Sequence, residues 1–203
     1  MSLRFLRAAL AVVLGTLAGL PAQAALFTIL DGEAVVVTDR ASVVAVEGLP
    51  LPRAALVHVS PAASLARLEW ADGSSLDLGP DARVLVLAGG LPGGRGPGVY
   101  LLRGTAKLTS AKADTGPVLS TAAAEVEPFA GVAVVKVLGN ETGVFAETGA
   151  LRVSDRGVRP PLSVANGPFY SRNGAAKGQV QPRPPSDLLP KLPRAFRDTL
   201  PRL

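Results

Sequence analysis

Residues 66–80 read Ala-Arg-Leu-Glu-Trp-Ala-Asp-Gly-Ser-Ser-Leu-Asp-Leu-Gly-Pro. Ala66, Leu68 and Trp70 alternate with Arg67 and Glu69, the period of two that places apolar side chains on one face of an extended chain. Asp72-Gly73 follows, a pair that tolerates the positive φ of a two-residue hairpin turn. Leu76 and Leu78 then resume the apolar face, with Ser75 and Asp77 on the other. The stretch predicts strand, turn, strand. Trp70 and the leucines belong to a core, and Asp72, Asp77 and the nearby Asp81 take turn and solvent-facing roles.

The segments on either side of the hairpin repeat this texture. Before it lie short apolar runs at 26–30 and 33–39, split by Asp31-Gly32, then Val43, Val44 and Val46, then Ala54–Val59 with the single histidine, His58. After it come Arg83–Leu87, Val99–Leu102 and Thr105–Thr109 flanking Arg103-Gly104, then Val118–Ala122, Ala124–Val126 and the β-branched run Val132–Leu138. A turn over 139–143 leads to Val144–Glu147, Leu151–Val153, Leu162–Val164 and Pro168–Tyr170. Turn signals every 8–12 residues, with few aromatics and 22 glycines and 18 prolines, predict an all-β fold of many short antiparallel strands forming a sandwich, roll or solenoid-like domain. The Gly/Pro-dense stretch 88–98 reads as a connecting loop; no Lys-Ser or Lys-Thr follows its glycines, so it is no phosphate loop.

Both termini differ from this domain. Arg4 and Arg7 precede the 13-residue apolar run 8–20, and Pro21 and Ala22-Gln23-Ala24 follow it. That order predicts a secretory signal peptide over residues 1–24, cleaved between Ala24 and Ala25. The run is too short to cross about 30 Å of hydrocarbon as a helix, so no stable membrane insertion is expected after cleavage. The Ala- and Arg-rich style suggests a bacterial chain and hence the periplasm. The domain is assigned to residues 25–178. Residues 179–203 form a Pro-rich, basic, amphipathic and partly helical tail in which Leu188, Leu192, Phe196 and Leu200 recur every fourth position. Pro190 and Pro193 forbid one continuous helix but allow a short one over 192–199. With Arg194 and Arg197, these four residues are candidate contacts for a partner groove; the alternative is a tail packed on its own domain.

The chemistry of the sequence argues for binding. The net charge of +5 resides in the two termini, which leaves residues 25–178 neutral and without the basic face of a nucleic-acid binder. No cysteine is present, so disulfides and thiolate metal sites are excluded. Asp72, Asp77 and Asp81 lack the spacing of a calcium loop. His58 has no accompanying GxSxG or HExxH, and Glu125 and Glu127 read as solvated strand carboxylates. No catalytic, cofactor or metal residue is therefore assigned.

The order of these motifs resembles the FecR-type domain, named after the ferric-citrate signal transducer. That family runs leu-x-leu/trp-x-Asp-Gly-Ser-x-leu-x-leu-Gly, here Leu65–Gly79 with Asp72, Gly73 and Ser74 at the turn. Its later pieces are similar to Tyr100–Leu108 around Gly104, Leu119–Thr121, Gly131–Val135 and Ala146–Val153 around Gly149. The likeness spans roughly residues 27–170. A Gly-Thr-x-Phe of the family is replaced by Gly131-Val-Ala-Val, and a predicted cleavable signal stands where full-length sigma regulators carry an anti-sigma domain and a membrane span. The resemblance implies an all-β, non-enzymatic periplasmic sensor that binds another cell-envelope protein. An alternative role is a peptidoglycan or other glycan-binding envelope module, disfavoured by one Trp and two Tyr where sugar platforms use aromatics.

Overall fold

The computed structural model describes residues 25–90, 96–113, 116–127, 129–155, 161–164, 167–186 and 188–198. Its strands are β1 Leu26–Asp31, β2 Ala34–Val37, β3 Ser42–Val44, β4 Ala54–Val59, β5 Leu65–Glu69, β6 Ser75–Leu78, β7 Arg83–Leu87 and β8 Gly98–Ser110. Then follow β9 Val118–Ser120, β10 Ala124–Val126, β11 Gly131–Leu138, β12 Glu141–Thr148, β13 Leu151–Asp155, β14 Leu162–Val164, β15 Phe169–Asn173 and β16 Gln179–Gln181. Two short helices close the described chain, α1 Leu188–Lys191 and α2 Arg194–Asp198. The fold is all-β.

Strand β8 organises the sheet. Its first part pairs with β7 and β9, and its second with β6 and β11. One half therefore runs β1-β5-β6-β8-β11-β12-β15-β16, and the other β3-β2-β4-β7-β8-β9-β10-β13-β14. The sequence predicts two strands flanking Arg103-Gly104; the structure has one bent strand instead. Gly104 takes φ +93°, and a Cβ there would come within 2.6 Å of the Ala82 Cα, so only glycine permits the bend. All pairings are antiparallel except β8 with β9, which run parallel. The inner residues of both halves, among them Leu68, Leu76, Leu108 and Val135 on one and Val36, Val57, Val84 and Leu119 on the other, fall in a single apolar cluster. The sheet thus folds back over its own core.

The hairpin β5–β6 refines the sequence reading. Glu69 pairs with Ser75, Trp70 N–H donates to the Ser74 carbonyl at 2.9 Å, and Gly73 N–H donates to the Trp70 carbonyl at 3.0 Å. The loop is thus three residues, Ala71-Asp72-Gly73, rather than two. Gly73 holds the left-handed position at φ +86°, as three-residue hairpins require. The Asp72 carboxylate accepts from Ser74 N–H and Oγ–H at 2.9 and 3.0 Å, while Ser74 Oγ accepts from Ala111 N–H at 3.1 Å. The Asp-Gly-Ser motif therefore shapes the turn and ties it to the end of β8. Trp70 is core, as expected.

Two boundaries also shift. Glu141 belongs to β12 and pairs with Leu138, which shortens the expected turn to Gly139-Asn140. Residues 179–181, expected in the tail, form β16 against β15. Part of the 88–98 loop, 91–95, lies outside the described residues; it joins β7 to β8, which are neighbours in one half of the sheet.

Candidate interaction face

Six residues form one row across the outward face of the first half of the sheet. The register pairs Arg67 with Asp77, Asp77 with Lys107, Lys107 with Val134, Val134 with Phe145, and Phe145 with Phe169. Period-two alternation puts their sequence neighbours Leu68, Leu76, Leu108, Val135, Val144 and Tyr170 in the core. The row is polar at one end and apolar at the other.

The tail lies over this row. Leu188, Leu192 and Phe196 pack with Val134, Phe145 and Phe169 in an apolar cluster separate from the main core. Four-residue spacing aligns the three tail side chains despite the break at Pro193 between α1 and α2. Gly79, directly after β6, makes room for that break: a Cβ there would stand 2.7 Å from Pro193 Cγ. The Gly of the hairpin motif's leu-x-leu-Gly end is therefore the seat of the tail proline.

Beneath α2, Lys107 is 3% exposed. Its Nζ stands 3.0 and 3.3 Å from the Glu147 carboxylate oxygens and donates to the Phe196 carbonyl at 3.3 Å. Glu147 reaches this face at a register irregularity between Val132 and Ala133 on the partner strand. Burial pushes the Glu147 carboxyl above the usual carboxylate range, against the opposing pull of the Lys107 hydrogen bond. Arg67 grips Asp77 with a fork of two hydrogen bonds at 2.5 and 2.9 Å, which raises the guanidinium pKa further.

The sequence-designated residues divide as follows. Leu188, Leu192 and Phe196, read as partner contacts, are buried on their own domain, because the outward apolar end of the row needs a cover and the tail supplies it. Arg194 is exposed; Leu200 and the side chain of Arg197 lie outside the described residues, as does Ala24. Ala25 is buried beside β1, where its carbonyl accepts from Leu51 N–H. Asp77, expected on a solvent face, is 2% exposed; it does point outward, but between Arg67, which grips it, and Lys107 on the paired strand. Glu125 and Glu127 are half-buried rather than solvated: Ser120 Oγ–H donates to Glu125, and Arg152 and Ser154 hold Glu127.

His58 does meet a carboxylate, Asp81 at 3.8 Å, but the other partner of Asp81 is Arg103 rather than a nucleophile. Trp70 and Tyr170 are buried, so only Tyr100 of the three large amphipathic aromatics reaches the surface. No helix among the described residues is long and apolar enough to cross a membrane. Lys107, Glu147 and Gly79 carry no sequence signal of their roles. Lys107 looks like any outward strand residue until the tail is placed over it.

The fold has relatives among solved structures. Two structures of a "putative anti-sigma factor" from Parabacteroides distasonis ATCC 8503, at 2.50 and 1.65 Å resolution, superpose with TM-scores of 0.54 and 0.52 at 13% identity. They cover 64% and 63% of this chain, which spans 60% and 59% of theirs. At that identity the likeness is one of fold. No protein-family profile and no curated protein matches the chain.

Proposed function

We propose that this chain is an exported, non-enzymatic sensor or interaction module of the FecR type, acting in the periplasm by binding another cell-envelope protein. The carrying observation is the Asp72-Gly73-Ser74 hairpin, set in FecR-like motif order on a fold shared with solved structures described as an anti-sigma factor. Each motif residue has a structural task at that turn, and none is poised for chemistry. His58 and its carboxylate lead to an arginine, which favours binding over catalysis. The N-terminal pattern supports export, and the tail-covered row supports a protein partner over a glycan.

Two measurements test this reading. Expressed in full in a Gram-negative host, the chain is expected in the periplasmic fraction with a mature N-terminus at Ala25, read by mass spectrometry. Retention of residues 1–24 in the cytoplasm would remove the export part. Cross-linking of the exported chain in its native cell is expected to capture one envelope protein. Co-sedimentation with purified cell-wall sacculi in place of that capture would transfer the role to glycan binding.

A further inference from the structure

The tail occupies a groove that is complete without it. Val134, Phe145 and Phe169 stand on paired strands, Lys107 is anchored by Glu147, and Gly79 belongs to the β6–β7 connection. The occupant is less well founded. Helices α1 and α2 have four and five residues, too short to persist away from a surface. Three buried side chains offset only part of the entropy lost in ordering residues 188–198. A cleft of about 180 Å³ lies beside Leu188, lined by Lys136, Leu138, Glu141, Phe169, Pro185 and Lys191, so Leu188 is not fully enclosed by the sheet. The link from β16 to α1 runs along the surface and contains Pro182, Pro184 and Pro185.

The groove also defines what it accepts. Lys107 Nζ grips a main-chain carbonyl, which any peptide offers. The apolar end of the row requires side chains four residues apart, and the bare Gly79 admits a flat proline ring. This is the helix-in-groove mode of recognition with a proline break. We propose that the groove docks a short amphipathic segment of a partner protein, with apolar residues at four-residue intervals and a proline three before the last, and that the tail is its resident competitor. The proposal deepens the partner-binding reading and rests on it. Tethering gives the tail a high effective concentration, and a partner binds only the fraction of molecules whose groove is open.

The test uses a fluorescent synthetic peptide of residues 184–198 and the full chain carrying Phe196→Asp, or Leu192→Asp as a second tail-release variant. Circular dichroism checks that the strands persist in each. Saturable binding to the released variants is expected, with binding to the native chain on the order of tenfold to a hundredfold weaker. Adding Val134→Asp to a released variant is expected to abolish it. Absence of binding to both folded variants overturns the proposal, as does binding that survives Val134→Asp. Dimers of the native chain that Phe196→Asp dissolves would also overturn it, giving the groove to the tail of a second copy. Capture of an envelope protein alongside a failed peptide assay would keep the partner-binding reading and discard the groove.

Discussion

On one half of the sheet the outward row runs Arg67, Asp77, Lys107, Val134, Phe145, Phe169; on the other it runs Val37, Leu56, Leu85, Tyr100, Ser120, Glu125. Both arise from the same alternation, and both sit directly over the shared core. The second row stays partly open to water: Val37 is exposed, and Leu56, Leu85, Tyr100 and Glu125 are half-buried. The first is closed by residues 188–196 over Val134, Phe145, Phe169 and Lys107, and in it Asp77, Lys107 and the adjoining Glu147 are cut off from solvent. In these two outward rows, the same patterning therefore gives half-open residues on one half and buried charges on the other. A distant segment, not the local sequence, decides which.

The comparison breaks most sharply at Lys107. Lys107→Ala leaves Glu147 buried without its cation, and loss of one partner of a buried pair costs about 3–5 kcal/mol. Urea unfolding should show this as a lowered midpoint. Replacing both members by apolar groups, Lys107→Met with Glu147→Leu, is expected to recover most of the loss, because neither a charge nor an unpaired polar group is then buried. On the open face, Arg152→Ala removes an exposed partner of Glu127 and should shift stability by less than about 1 kcal/mol. Equal losses at Lys107 and Arg152 would mean that the tail does not change the environment beneath it.

Phe196→Ala ranks next. Removing a buried phenylalanine costs about 3 kcal/mol or more when the structure around it holds. Here the loss is capped by the docking free energy of the tail, since undocking is open to it. Hydrogen exchange should therefore speed up at Leu192 and Phe196, whose amides donate within the tail, while the amides of Val57 and Val84 in the main core keep their protection. Uniform acceleration across both groups would show that tail and domain unfold as one unit.

These two effects bear on how much could be read from the chain itself. Period-two alternation around Trp70 and in Ala54–Val59 and Arg83–Leu87 was enough for the all-β class, the hairpin and the inward residues, because each depends on neighbours two positions away. The bend at Gly104 was hidden, since Arg103-Gly104 looks the same as a hairpin turn until Ala82 is set against it. The burial of Lys107 was hidden for the stronger reason that it depends on a segment 89 residues onward. The four-residue spacing in the tail disclosed an apolar stripe. Its choice of this domain's own face depended on Gly79 and on the register of six strands.

Titration sharpens the contrast in two directions. Glu147 has a folded pKa above its unfolded value, so the folded state binds its proton more tightly. Its unfavourable contribution is fully present above the folded pKa and fades as pH falls toward the ordinary glutamate range. Carbon-detected NMR should find this carboxyl titrating above the ordinary glutamate range. Tyr170, pushed up to about 12 by burial and the neighbouring Asp155, behaves oppositely in range. Its ionisation is easier in the unfolded chain, so stability should fall as pH rises from about 10 toward 12. Ultraviolet difference spectra should show the Tyr170 phenolate forming only toward pH 12; its ionisation in the ordinary tyrosine range would contradict the burial of Tyr170.

The smallest effect belongs to Asp81, on the open half. It takes a left-handed backbone at φ 57° and pairs with Arg103 and His58 near the surface. Asp81→Ala removes the exposed pair and keeps the unfavourable backbone, so a loss of about 1 kcal/mol is expected. Asp81→Gly removes the same pair but relieves the backbone, and the two changes should nearly cancel, within about 0.5 kcal/mol. The difference between the two variants isolates the backbone contribution. A loss at Asp81→Gly as large as that at Lys107 would mean that this solvent-facing pair carries the weight of a buried one, and the distinction between the two faces would fail.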